Sequence, residues 1–297
     1  MKSLWGVIAR WYRAHGRNLP WRNTVDPYRV VVSEFMLQQT QVDRVVPLFT
    51  RFVSVFPSWN ALAEASQADV VRAWKGLGYN MRAVRLRHLA MEVVTRYDGM
   101  LPSETEALVS LKGIGPYTAR AIRAFVFRKR ALAPDTNLRR VLNRVYKGPK
   151  ADPKMFDERS WLAWERSLPE RLSYDVNQGL MDIGATLCKA RSPSCEVCPL
   201  KKLCKSYPRI LKMKSLPKQK ASRVEKTDAL GIPNRIYRGR VIEELRARSV
   251  SHVHLEALGR RVRVGFEKKD LPWLQRVLEG LEKDGLIKKS RDRWVLA

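Results

Sequence analysis

Three sets of residues have the types and spacing that chemistry requires. Glu34 is a lone acid in VVVSEFMLQQTQV, flanked by Val30, Val31, Val32, Phe35, Met36 and Leu37. Glu is rarely buried without a partner, and burial raises a carboxyl pKa until the group can donate a proton near neutrality. The plain alternative is an amphipathic helix with Glu34 facing water. Asp135 follows Ala133-Pro134 and opens a helix expected over Thr136 to Tyr146. Taken singly it reads as a helix cap, the commonest role of Asp at such a position. A second reading comes from Gly113-Ile114-Gly115, where two glycines are free to take φ > 0. Pro116 then suits a first helical turn, so backbone N–H groups are left where a phosphate can be held. A carboxylate near such a hairpin points to chemistry on a nucleotide. The third set is Cys188, Cys195, Cys198 and Cys204, spaced C-x6-C-x2-C-x5-C within 17 residues. Four thiols this close indicate one metal centre, Zn²⁺ or [4Fe–4S], rather than a disulfide framework.

The elements that must position these groups read as helices. Ser103 and Glu106 have capping-box spacing, which predicts a helix from Glu104 to about Leu111, then the Gly-x-Gly hairpin and a second helix. Leu4 to Tyr12 has helical apolar spacing. In the loop Arg17-Asn18-Leu19-Pro20-Trp21-Arg22, two arginines flank a Trp that either lines a base pocket or anchors the loop in the core; composition favours the anchor. Tyr28 to Phe56 reads as two helices split near Pro47, with Gln38, Gln39 and Gln41 able to bond bases or water. Trp59 to Tyr97 reads as two more, broken at Lys75–Asn80, whose tip places Tyr79 where it can wedge a base stack. Arg82, Arg85 and Arg87 follow as a basic stripe. Trp161 to Leu172 and Asn177 to Leu187 are again helical, and no strand pattern occurs before residue 230.

The formal net charge is +28, from 57 Lys and Arg against 29 Asp and Glu in 297 residues. An excess of that size along the whole chain indicates a polyanionic partner. No apolar run approaches the ~20 residues of a membrane span, and no signal-peptide pattern opens the chain. The clustered cysteines place the protein in a cytoplasm with reduced thiols.

The order of hairpin, Asp and cysteine cluster resembles the helix-hairpin-helix glycosylase superfamily, in its iron–sulfur branch. Within it, SEFMLQQTQV, GLGYNMRA, LKGIGPYTARAI, PDTNLRRVLNRV and NQGLMDIGATLC are most similar to the adenine DNA glycosylases (MutY type), over roughly Trp5 to Cys204. The resemblance implies a [4Fe–4S] cluster rather than zinc, and two helical lobes with the active site in the cleft between them. It implies that Glu34 protonates adenine and later activates water, that Asp135 stabilises the oxocarbenium ion at C1′, and that Asn137 supports the pair. The physics fits: an adenine anion leaves poorly, so a neutral acid must deliver a proton while a fixed carboxylate meets the charge on the sugar. The base must first be flipped out of the duplex. Gln39 and Tyr79 match residues that fill or wedge the stack, and Gly113, Ile114 and Gly115 the hairpin that holds DNA backbone. Arg17, Leu19, Trp21, Arg22, Val42, Gln178 and Asp182 match the adenine-pocket walls; thymine-directed relatives tend to carry Ala and Leu at the positions of Val42 and Gln178. Bifunctional relatives such as endonuclease III carry Lys at the position of Tyr117. A Tyr forms no Schiff base, so a monofunctional, monomeric enzyme acting on adenine-containing mismatches in double-stranded DNA is implied.

Beyond Cys204 the chain departs from that pattern. Lys205 to Lys226 reads as a basic linker, and the Nudix-like sensor of 8-oxoguanine that usually follows finds no matching pattern. Instead Tyr237 to Arg248 and Asp270 to Lys283 read as helices, Ser251 to Phe266 holds short apolar stretches, and Leu286–Lys289 and Arg293–Leu296 read as strands around a Ser290-Arg291-Asp292 tip. This resembles a winged helix. From Lys205 onward there are 24 Lys and Arg against 11 Asp and Glu, a net +13. The expected architecture is therefore mainly α: a glycosylase domain over 1–204 with its cluster loop at 188–204, a linker over 205–235 and an α+β winged-helix-like domain over 236–297. Two alternatives remain at this stage, a T/U·G mismatch glycosylase of the same fold and a non-catalytic iron–sulfur DNA-binding regulator. Retention of both Glu34 and Asp135 argues against the regulator.

Overall fold

The computed structural model of the chain describes residues 3–149, 157–213, 227–228, 230–246, 255–290 and 293–297. Its helices in chain order are α1 (Leu4–His15), α2 (Pro27–Leu37), α3 (Val42–Val55), α4 (Trp59–Glu64), α5 (Gln67–Ala73), α6 (Met81–Tyr97), α7 (Thr105–Ser110), α8 (Pro116–Phe125), α9 (Thr136–Tyr146), α10 (Glu158–Ser167), α11 (Ser173–Thr186), α12 (Asn234–Arg246), α13 (Leu255–Val262) and α14 (Leu271–Lys283). Strands β1 (Ile287–Ser290) and β2 (Arg293–Leu296) close the chain as an antiparallel hairpin, Ile287 opposite Leu296 and Ser290 opposite Arg293. The chain divides into two units, Met1–Val30 with Pro102–Ala221, and Val31–Leu101 with Ser222–Ala297. Among the described residues no helix is long and apolar enough to cross a membrane.

In the first unit α1, α9 and α11 pack around Ile8, Leu138, Leu142, Leu180 and Ile183, with Trp161 of α10 closing the core. The close approach of α11 depends on two glycines. A Cβ on Gly179 would lie 2.8 Å from Ile8 Cγ2, and one on Gly184 would lie 2.5 Å from the Cβ of Asn137. Cys188, Cys198 and Cys204 pack against this same core.

The hairpin before α8 differs in detail from expectation. Ser103 forms no capping box. Its hydroxyl donates to Glu104 Oε1 at 3.0 Å, and Glu104 becomes the N-cap of α7 without a side-chain cap bond. Of the two glycines only Gly113 takes positive φ, at 95°, while Gly115 caps α8 at φ −91°, ψ 175°. A single left-handed residue completes the turn once Ile114 N–H reaches Leu111 O at 3.1 Å. Pro116 stands in the first turn of α8, as its fixed φ favours.

In the second unit the break after α2 falls at residues 38–41 rather than near Pro47, which lies inside α3. The reason is Arg82. Its buried guanidinium donates to Phe35 O and Met36 O, both at 2.9 Å, and to Gln38 O, taking the orphan carbonyls at the end of α2. It also bonds Leu77 O at 2.9 Å and Gly78 O at 3.1 Å, so two turns share one cation. The expected basic stripe is accordingly not a stripe. Arg82 is buried and Arg87 bonds Ala65 O, leaving Arg85 exposed. Trp59 to Tyr97 holds three helices, not two, because Ser66 caps α5 by accepting from Asp69 N–H at 3.1 Å.

At the C-terminus α12, α13 and α14 bury Tyr237, Val241, Leu258, Val262, Leu274 and Leu278, with Ile287 and Leu296 from the hairpin. Three helices followed by a two-stranded wing give the element order of a winged helix. Residues 247–254 and the tip residues 291–292, on which parts of the expected helix, apolar stretch and turn fall, lie outside the described residues. So do residues 214–226 and 229 of the expected linker. Its described beginning is tied to the first unit, where Lys205 N–H bonds Val145 O and Ser206 Oγ donates to Arg144 O.

Candidate active site and metal centre

Asp135 caps α9. Its Oδ1 accepts Leu138 N–H at 2.6 Å, and its Oδ2 accepts Asn137 Nδ2 at 3.0 Å. The approach from Ala133 is anchored by Asn177 of α11, whose Oδ1 accepts Ala133 N–H at 2.9 Å. Asn137 is itself oriented by Arg140, whose Nη2 donates to its Oδ1 at 2.6 Å and to Gly184 O at 2.7 Å. Burial pushes the Asp135 carboxyl above its ordinary pKa, against the pull of the Leu138 and Asn137 donors and the Arg140 charge. Capping is thus fulfilled without consuming the group. A fixed, poorly solvated carboxylate is what a cation forming beside it would meet.

Glu34 lies on the second unit's part of α2 and is 7 % exposed, among the buried Val31, Val32, Phe35 and Met36. The water-facing alternative is therefore not the one adopted. In the same unit Gln39 (φ 56°) and Tyr79 (φ 46°) both occupy the left-handed region, which is uncommon for such residues and concentrates at functional sites. Both side chains are exposed, Tyr79 by 49 %, on the two turns that Arg82 holds together. Val42 begins α3 beside Gln39.

The other residues singled out in the sequence belong to the first unit. Asp182 of α11 takes Arg22 Nη1 and Nη2 at 2.8 and 2.9 Å, Arg17 Nε at 2.7 Å and Arg17 N–H at 2.9 Å. Burial acts to raise the Asp182 carboxyl, but the two arginines outweigh it and the group lies below the ordinary carboxylate range. Leu19 and Trp21 are buried in the loop that this knot closes. Gln178 sits one turn before Asp182 and is buried. Tyr117 of α8 packs against Ala121, Phe125 and Ala133.

Burial raises the Cys195, Cys198 and Cys204 thiols, Cys198 to about 11, and each is raised further by its neighbouring cysteines. The thiols are thus near enough to feel one another's charge, a cost that bound metal reverses. Among the described residues no three Cys, His, Asp or Glu gather as ligands of a single ion. Four thiolates on one zinc would lie within about 4 Å of each other, given Zn–S near 2.3 Å. In a [4Fe–4S] cluster each thiolate takes a different iron, and four free cysteines are the donor set that such a cluster needs. Arg144 organises the first ligand. Its Nη1 reaches Cys188 Sγ at 3.3 Å and Lys189 O at 2.8 Å, and its Nη2 reaches Ala190 O at 2.8 Å. Arg140 Nε donates to Cys188 O at 2.8 Å, so one side chain touches both the Asp135–Asn137 pair and the cluster loop. Neither arginine stands out by composition; the available signal is their i, i+4 spacing on the helix that Asp135 opens.

Residues 32–166 match the model of the HhH-GPD superfamily base excision DNA repair proteins, and residues 188–204 match the iron–sulfur binding domain of endonuclease III. The adenine DNA glycosylase of Mycolicibacterium smegmatis is 40% identical over 194 residues, covering 65% of this chain and 66% of that one. The thymine/uracil-DNA glycosylase of Methanothermobacter thermautotrophicus is 31% identical over 202 residues, 68% of this chain and 91% of the relative. The solved structure of a thermostable thymine-DNA glycosylase superposes with a TM-score of 0.64 at 30% identity, over 69% of this chain and 95% of that one. The chain spans slightly less than two thirds of the mycobacterial adenine DNA glycosylases it matches and 41% of the one from Mus musculus. By fold, sequence and the cysteine loop that holds a [4Fe–4S] cluster, the chain belongs to the HhH-GPD superfamily of base excision DNA repair proteins.

Proposed function

We propose that this chain is a monofunctional DNA glycosylase that hydrolyses the N-glycosidic bond of adenine mispaired with guanine or 8-oxoguanine, leaving an abasic site. The observation that carries this reading is the Asp135 carboxylate, desolvated yet locked by Leu138 N–H and Asn137 Nδ2. Such a group stabilises positive charge developing at C1′. Glu34, in its apolar surroundings, supplies the proton that makes adenine a leaving group and then draws a proton from the attacking water. In the first unit the Arg17–Asp182–Arg22 knot holds Leu19, Trp21 and Gln178 as adenine-contacting residues; in the second, Val42 takes the same role and Gln39 and Tyr79 fill or wedge the base stack. The Gly113–Gly115 hairpin holds backbone phosphate through the N–H groups of Gly113 and Gly115, that of Ile114 being bonded to Leu111 O. When bound, the cluster crosslinks the four thiolates of loop 188–204. Adenine is preferred over thymine in this reading because the adenine DNA glycosylase of Mycolicibacterium smegmatis is 40% identical and the thymine/uracil relative 31%. Its partner is double-stranded DNA, the protein acts as a cytoplasmic monomer, and residues 1–204, 205–235 and 236–297 serve as catalytic domain, linker and winged-helix-like domain.

The test is base release from A·8-oxoguanine, A·G, T·G and U·G duplexes, read by alkaline cleavage at abasic sites. Adenine release, modestly faster opposite 8-oxoguanine, is expected. Release of thymine or uracil alone overturns the reading in favour of the second, which the 91% coverage of the thymine/uracil relative supports. Asp135→Asn and Glu34→Gln should each slow single-turnover release by roughly 10²–10⁴-fold. Borohydride should trap little covalent complex, since Tyr117 offers no amine.

A further inference from the structure

Within the second unit, α12 faces the turns that carry Gln39 and Tyr79 across a groove of about 1190 Å³. That exceeds the ~300–1,000 Å³ of an ordinary small-molecule pocket. Arg44 and Arg85 line one wall, both exposed and with no side-chain hydrogen bond or ion pair among the described residues. Arg235 and Arg240 of α12 line the other, Arg240 with its Nη1 donating to Val262 O at 2.8 Å. The acids present are already engaged: Asp284 with Arg238, Glu244 with Arg261, and Glu243 with Arg246. Each side of the groove thus carries arginines.

The two walls are fastened together. Arg246, at the end of α12 and 8 % exposed, donates from Nη2 to Asn80 Oδ1 at 2.7 Å and from Nε to Val71 O at 3.1 Å. Asn80 is the residue after Tyr79 and the N-cap of α6, where its own side chain makes no cap bond. Gln67 Nε2 makes a second fastening, to Gly285 O beside the β-hairpin. A buried guanidinium bonded at this distance in sequence fixes the C-terminal elements against the turn that Tyr79 tips.

We propose that this groove seats one sugar–phosphate strand of duplex DNA, and that Arg246 is the positioning residue that makes the C-terminal domain its second wall. The proposal rests on the DNA glycosylase reading and adds to it a specific surface. An acidic peptide would satisfy the charge equally well. The strand is favoured because the amide of Gln39 and the ring of Tyr79, both on strained backbone, stand among the groove residues, where they meet bases whose phosphates lie on the arginines.

The experiment uses the full chain with its cluster. Arg44→Gln/Arg85→Gln and Arg235→Gln/Arg240→Gln are compared with wild type for affinity to an undamaged duplex over a salt series, and for adenine release at saturating enzyme. Each pair should weaken duplex binding several-fold and flatten the log–log salt slope by about 1–2, at about 0.9 per lost phosphate contact, with saturated release unchanged. Arg246→Met should weaken binding similarly and bring the release rates opposite 8-oxoguanine and guanine together, while Arg246→Lys restores part of the difference. Unchanged affinity and slope in both wall pairs overturn the proposal. So does retention of duplex binding with loss of binding to polyglutamate, which makes the groove a protein-docking surface. Wild-type protein that binds duplex with the expected slope but releases no adenine overturns the functional reading and leaves the groove standing.

Discussion

In both Asp182 and Asp135 burial raises the carboxyl pKa and hydrogen-bonded or charged neighbours lower it, yet the balance falls in opposite directions. Asp182, with 1 % of its side chain exposed, meets Arg22 at 4 % and Arg17, and its pKa is lowered overall. Its stabilising effect is fully present above the unfolded value near 3.9 and is lost as pH falls through the lower folded value. Asp182→Asn leaves the Arg22 charge buried without its partner and should destabilise the fold by about 3–5 kcal/mol, read as a lower urea midpoint at neutral pH. Asp135 runs the other way. Its raised pKa means the fold favours the protonated form, so stability falls as pH climbs from the ordinary carboxylate range through the folded value. A residue that lowers the stability of the ionised protein and is nonetheless present fits a catalytic carboxylate better than a pure cap. An Asn in its place still caps α9.

At the scale of elements, α9 is the organising helix of the first unit. It begins with Asp135, carries Asn137, Arg140 and Arg144 along one stretch, and faces α11 so closely that Gly184 allows no side chain. Gly184→Ala would set a methyl 2.5 Å from Asn137 Cβ. Overpacking of this kind costs about 1–3 kcal/mol, and here the displacement falls on the amide that holds Asp135. The expected outcome is a drop in adenine release larger than the loss of thermal stability explains. A variant with a lowered melting temperature but wild-type release would show that α9 absorbs the shift without moving Asn137. In the second unit the corresponding organiser is Arg82. Burial pulls its guanidinium down to about 10, still charged at neutral pH, and five backbone carbonyls and the Thr40 hydroxyl compensate its desolvation.

For the molecule as a whole, the division into two units predicts that losing the cluster is a local event. Cys188, Cys198 and Cys204 pack on the core shared by α1, α9 and α11. Oxidation of the cluster followed by chelation should therefore raise hydrogen exchange in α9, in α11 and over residues 205–213, while α4 and α6 keep their protection. Uniform loss of protection in both units would mean that they unfold as one.

The sequence alone determined whatever depends on near neighbours. The Asp135 cap, Pro116 at the start of α8, the cysteine spacing and the terminal hairpin are each specified within a few residues, because capping, turn chemistry and ligand spacing act over one or two helical turns. It also showed that Glu34 sits in an apolar run, but not which way it faces, since an amphipathic helix and a buried one share that pattern. Tertiary structure decided the rest. Arg22 finds Asp182 from 160 residues away, Arg246 finds Asn80 from 166, and Arg82 turns out to be a buried clamp rather than part of an exposed stripe. An arginine's charge is legible in any sequence, but which carbonyl or carboxylate neutralises it depends on which surfaces the core brings face to face.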